Sequence, residues 1–311
     1  MRGRGSIFLV VWYFVLAAGQ TLAFAAVWWF FVRTARGQAL DTIALTGNSI
    51  GRDEAYGPAS TVLGVVSVAS LALATLAIGF IALIRGRVLL AVVATVLIAG
   101  ANITTQLFKY GTYRPDLGVD PVDAYTTNSL PSGHATVAAS VAVALVLVLP
   151  AALRGIGALI GAGYAAAAGV ATLSANWHRP SDAVAAMLVV GAWSAAGMLV
   201  LALARTAGDE VRAQDSHRSV VTLLATAGVA LLAAAAVAMV LTEDVLWTVP
   251  LEELSRRRLF VAYAGSAAGI AASAALLMVP VLATAHRAVP AHRPPTPHPT
   301  PDRTTGAYCG N

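Results

Sequence analysis

Residues 88–108 read VLLAVVATVLIAGANITTQLF, 21 positions without one charged side chain. A helix rises about 1.5 Å per residue, so this stretch is ~31 Å long, the thickness of a bilayer's hydrocarbon core. Runs of the same kind recur on both sides of it. Together they predict eight helices, over residues 7–32, 59–84, 88–108, 134–153, 156–176, 182–204, 219–241 and 261–284. Alanine and glycine dominate several of them. Such small residues let membrane helices approach closely, so the expected fold is all-α, a packed polytopic transmembrane bundle.

The composition agrees. Of 311 residues, 58% are hydrophobic and only 11% charged, and the mean hydropathy is +0.74. Soluble domains carry about 25% charged residues. Too few charges remain here to cover a water-exposed surface. The net charge of +5 is spread over loops in no nucleic-acid-reading pattern, so it sets topology rather than binding DNA or RNA. Cys309 is the sole cysteine, which excludes an internal disulfide and a thiolate zinc site. The first apolar run, Ile7 to Val32, exceeds the ~7–15 residues of a signal-peptide core. It reads as a retained helix.

An even helix count puts both termini on one side, and loop charge places that side in the cytoplasm. Inner segments then hold 11 of the 20 basic residues, outer segments 9. The short turns at 85–87 and 154–155 carry only positive charge, and short loops weigh most. Arg256 to Arg258 argue the other way. The outer segments are 33–58, a polar glycine-rich loop, 109–133, and 177–182. The tail from His286 onward is rich in Pro, His and Thr and reads as disordered.

Of six histidines, only His134 and His178 border the apolar bundle, both on the expected outer side, with the only lysine, Lys109. Ionisable groups at such positions are costly and mark functional sites. His134 closes Pro131-Ser132-Gly133-His134 just before a helix, where unpaired N–H groups suit an anion. Read alone, the sequence serves equally well as a plain cap. His178 and Asp182 are four residues apart, which places them on one helical face. A carboxylate there fixes the imidazole tautomer and leaves the other nitrogen to attack. Read alone, Asp182 more often just favours the positive helix end. Lys109 and Arg114 follow a helix end, with Pro115 stopping it, and their charges suit phosphate oxygens.

Taken in order, these segments resemble the type-2 phosphatidic acid phosphatase superfamily, which also includes vanadium haloperoxidases. Pro131-Ser132-Gly133-His134 matches that family's second motif, His178 and Asp182 the end of the third, and Lys109 the start of the first. The resemblance implies a six-helix phosphatase core over 1–204, two additional helices over 205–284, and a cytoplasmic tail over 285–311. It departs in two places. The first motif is Lys109-x4-Arg114-Pro115 where the family has Lys-x6-Arg-Pro, so Asp116 takes the arginine's place. Ala171 and Thr172 stand where the third motif begins Ser-Arg. Arg114 and Arg179 are expected to line the pocket instead.

By resemblance, His178 is the nucleophile that forms a phosphohistidine, Asp182 orients it, and His134 is general acid and base. Lys109, Arg114, Arg179, Ser132 and Gly133 bind phosphate, with no metal or cofactor. The expected substrate is a lipid phosphate of the phosphatidate, phosphatidylglycerophosphate or polyprenyl phosphate class, taken at the extracytoplasmic face of a cell membrane. Two alternatives stand beside hydrolysis: phosphotransfer to another acceptor, and a non-catalytic lipid-phosphate binder or transporter. The oligomeric state is left open.

Overall fold

The computed structural model describes residues 4–50, 57, 59–61, 63, 64, 68–119, 128–204, 217–244, 246 and 248–288. Among these residues all regular structure is helical. Nine α-helices follow one another: α1 (Arg4–Arg33), α2 (Ala35–Thr46), α3 (Val68–Ile84), α4 (Val88–Gly111), α5 (Gly133–Val148), α6 (Arg154–Ser174), α7 (Pro180–Ala204), α8 (Arg218–Glu243) and α9 (Arg256–Ala288). Six of them contain spans long and apolar enough to cross a membrane, and Ser70–Ile84 and Gly133–Val148 are shorter apolar helices. Phe14, Leu22, Leu76, Phe80, Leu107 and Ile160 lie more than 60% exposed on the outside. An exterior of that kind fits a multi-pass membrane protein, whose backbone groups are satisfied within each helix.

Every expected run contains helix, but several boundaries move. The 59–84 run is continuous only from Val68, because residues 65–67 lie outside the described residues. α4 continues past 108 to Gly111, so Lys109 sits in its last turn rather than after it. α5 stops at Val148 instead of 153, because Leu149 precedes Pro150 and the proline ring pushes it out of helical geometry, to ψ 150°. A 3-10 turn, Ala151–Leu153, then leads into α6.

The larger correction concerns 33–58, expected as a polar loop. Much of it is α2, capped by Thr34, whose side chain accepts the Gly37 N–H at 3.1 Å. α2 is tucked in tightly, with Gly37 through Ile43 nearly all buried. Two glycines permit this. A Cβ on Gly37 would lie 2.1 Å from the Phe30 carbonyl oxygen, and one on Gly47 would lie 2.4 Å from that of Leu259.

α7 lies at the centre, packed against α1, α4, α5, α6 and α9. α9 also reaches the core, where Ile270 and Met278 are fully buried. The small residues act as anticipated. A Cβ on Gly265 would lie 2.2 Å from the Ala238 Cβ, so α8 and α9 meet backbone to backbone. With the short α2 set aside, the longer helices alternate in direction, so the connections after α1, α4, α6 and α8 gather at one end. The bond from Asn48 Nδ2 to the Leu173 carbonyl at 3.1 Å ties two of them together. The tail expected from 285 starts later, because α9 runs to Ala288. Residues 289–311, with the disorder expected of them, lie outside the described residues, as do 120–127 and 205–216.

Candidate active site

α5 begins where Ser132, in extended geometry, turns its hydroxyl back to accept the Ala135 N–H. The segment entering it is braced by Asn128. That side chain donates to the Leu130 carbonyl at 2.9 Å and to the Thr112 hydroxyl at 2.7 Å, and accepts the Leu130 N–H at 3.2 Å. The Ser132 N–H donates to the Asp182 carbonyl at 2.9 Å. This bond fastens the Ser-Gly-His segment to the start of α7.

His178 is carried by the corner between α6 and α7. Asn176 has φ 60°, a left-handed conformation that asparagine tolerates better than most residues. The N–H groups of Trp177 and His178 then both donate to the Thr172 carbonyl, at 3.0 and 3.2 Å. Pro180 opens α7 without needing a donor. One turn on, Asp182 Oδ2 meets His178 Nδ1 at 3.0 Å and accepts the Arg179 N–H at 3.1 Å. Asp182 also bonds the Ser129 side chain. His178 is 8% exposed and Asp182 1%. With Nδ1 engaged, Nε2 is the nitrogen left for a substrate. The His134 ring lies 6.5 Å from the His178 ring, centroid to centroid, and 5.3 Å from Trp177. Trp177 is thus a neighbour of His134.

The cations divide into two groups. Lys109 lies within electrostatic reach of His134. Arg114 and Arg179 are buried, at 4% and 3% exposure, within electrostatic reach of Asp41. Arg114 is drawn inward because α2 holds the chain beside it. Gln38 Nε2 donates to the carbonyls of both Val32 and Pro115 at 2.9 Å, and Arg114 Nη1 donates to the Phe31 carbonyl at 3.2 Å.

Between the two arginines sits a residue the sequence reading passed over. Asp41 of α2 is 1% exposed and accepts the Ser181 hydroxyl at 2.5 Å and the Ser181 N–H at 3.3 Å. Burial pushes its carboxyl up to about 7, against the opposing pull of Arg114, the Ser181 hydroxyl and Arg179; the nearby Asp182 adds to the rise. The signal for it was a lone acid among Leu40, Ile43, Ala44 and Leu45. Those residues are too few to read as a span.

Residues 69–207 match the model of the PAP2 superfamily, the type-2 phosphatidic acid phosphatases. Over that stretch, which is less than half of the chain, the sequence matches the PAP2 superfamily. The matched stretch contains Lys109, Arg114, Ser132, Gly133, His134, His178, Arg179 and Asp182, while α1, α2, α8 and α9 lie outside it. No curated protein and no solved structure matches the chain. That match points to phosphatase action on phosphate esters. Among the described residues, no three His, Cys, Asp or Glu side chains come together as metal ligands.

Proposed function

We propose that this protein is a membrane-embedded lipid phosphate phosphatase working through a phosphohistidine. The observation that carries this reading is the pair of facing imidazoles, one of which has its Nδ1 held by a buried carboxylate. His178 Nε2 attacks phosphorus, forming a P–N bond as the P–O bond to the lipid breaks. His134 gives a proton to the leaving alkoxide. His134 then takes a proton from water, whose oxygen attacks phosphorus. The P–N bond breaks, returning His178 and releasing inorganic phosphate.

Lys109, Arg114 and Arg179 balance the charge spread over the phosphoryl oxygens. Because the Ser132 N–H is bonded to Asp182, Ser132 serves by fixing the start of α5, and the Gly133 N–H faces the anion. No metal takes part in this reading. The substrate is an amphiphile such as phosphatidate, phosphatidylglycerophosphate or a polyprenyl phosphate, whose headgroup lies at the level of the helix ends. The site faces outward and both termini are cytoplasmic.

The alternative of a non-catalytic binder draws on one observation: Arg114 and Arg179 already face Asp41 and Asp182, which take up part of their charge. One assay separates the readings. Purified protein should release inorganic phosphate from a panel of lipid phosphates with EDTA present. His178→Ala should abolish release while unfolding at an unchanged temperature. Unchanged release by that variant removes the mechanism, and loss of activity in EDTA restored by one metal moves the protein to another class.

A further inference from the structure

Three arginines meet at the end of the bundle remote from the histidines. Arg85 and Arg87 flank the turn between α3 and α4, and Arg154 opens α6. They lie within electrostatic reach of one another. Arg154 is 5% exposed and donates through Nε and Nη2 to the carbonyls of Leu149 and Leu147, at 3.2 and 3.4 Å. Arg85 Nη1 donates to the Val148 carbonyl at 3.3 Å. Arg87 Nε and Nη1 are buried and meet no acceptor. Neither of the ion pairs Arg36–Glu243 and His178–Asp182 lies at this end. Clustered cations with buried, unmatched N–H groups are costly unless an anion joins them.

An apolar groove leads to the same place. It runs between α3, α5 and α6, encloses about 470 Å³, and is walled almost wholly by apolar side chains. One end reaches Val137 and Tyr164, and the other ends at Leu149 and Leu153. Leu149 belongs to both features, with its carbonyl on Arg154 and its side chain in the groove wall.

We propose that groove and arginines form a binding site for one anionic phospholipid, with its phosphate on Arg85, Arg87 and Arg154 and an acyl chain along the groove. Guanidinium groups match phosphate oxygens in geometry and charge. Basic pockets between helices at a cytoplasmic interface suit anionic headgroups. The arginines are separate from the histidines, because the 16 residues of α5 between them span about 24 Å, while the far end of the groove reaches Val137, one turn beyond His134.

The test uses full-length protein carrying His178→Ala, so that no lipid is turned over. It is titrated in neutral detergent with fluorescent phosphatidylglycerol and with fluorescent phosphatidylcholine of identical chains. We expect one phosphatidylglycerol per chain, bound at least tenfold tighter than phosphatidylcholine. Arg87→Gln should remove most of that preference, and Ala74→Trp, which fills the groove, should weaken both lipids. Arg85→Gln serves if Arg87→Gln unfolds. Equal affinity for the two lipids, or a preference untouched by the arginine variants, overturns the proposal. So does displacement of the lipid by millimolar inorganic phosphate together with indifference to Ala74→Trp, which would assign the arginines to a free anion.

Discussion

Asp182→Asn separates the charge of the carboxylate from its shape. His178 Nδ1 and the Arg179 N–H both point at one oxygen, Oδ2, at 3.0 and 3.1 Å. An asparagine with its amide oxygen there keeps both bonds. The tautomer of His178 therefore survives, and only the negative charge is lost. That charge matters most when phosphoryl transfer makes the imidazole positive. Two unit charges 3.0 Å apart attract by ~5 kcal/mol at an effective dielectric near 20, an upper bound before reorganisation. About half of that, ~2–3 kcal/mol, corresponds to a fall in kcat of roughly 10²-fold.

Asp182→Ala should cost more, roughly 10³–10⁴-fold, because the ring also loses its orientation and the buried Arg179 N–H its acceptor. The assay is inorganic phosphate release by purified protein at saturating lipid phosphate, with thermal unfolding run in parallel. Activity of Asp182→Asn within threefold of wild type would show that His178 gains no charge in the rate-limiting step. Equal damage from Asn and Ala would refute the claim that Oδ2 alone carries the orientation.

Arg114→Ala and Arg179→Ala should each lower kcat/KM by at least tenfold, against less than twofold for the exposed Arg257→Ala; similar effects in all three would remove the arginines from phosphate binding. Asp41 is protonated in the folded protein to about pH 7 but ionises near 3.8 in the unfolded chain, so its contribution is full below pH 4 and is lost as pH rises to 7. Unfolding temperature should accordingly fall between pH 4 and 7 in wild type, with a slope approaching about 1.4 kcal/mol per pH unit from this group, and Asp41→Asn should flatten that fall. In a Cys309→Ser background, a cysteine at Leu117 should react with an impermeant maleimide from outside, and one at Leu153 only after permeabilisation; labelling of both from one side would overturn the topology.

Much of the candidate site was legible because its parts are local. Ser132, Gly133 and His134 are consecutive, and His178 and Asp182 stand one turn apart, so helical periodicity alone puts the latter pair in contact. The meeting of the two histidines was not legible in that way. It depends on the bond from Ser132 to the Asp182 carbonyl and on the left-handed turn at Asn176. Asp41 escaped because its partners lie 140 residues away at Ser181, and because α2 is too short and too polar to read as a span.

By itself the sequence determined that the chain is a bundle of apolar helices with its ionisable residues at their ends. Long runs of apolar side chains have no other stable disposition in a bilayer, and that inference needs no partner residue. Tertiary structure alone decided where Arg114 and Arg179 point, which acid lies between them, and how three arginines come together at the far end. Charges on long flexible stems take their positions from the carbonyls and carboxylates that surround them, and in this fold those groups come from other helices.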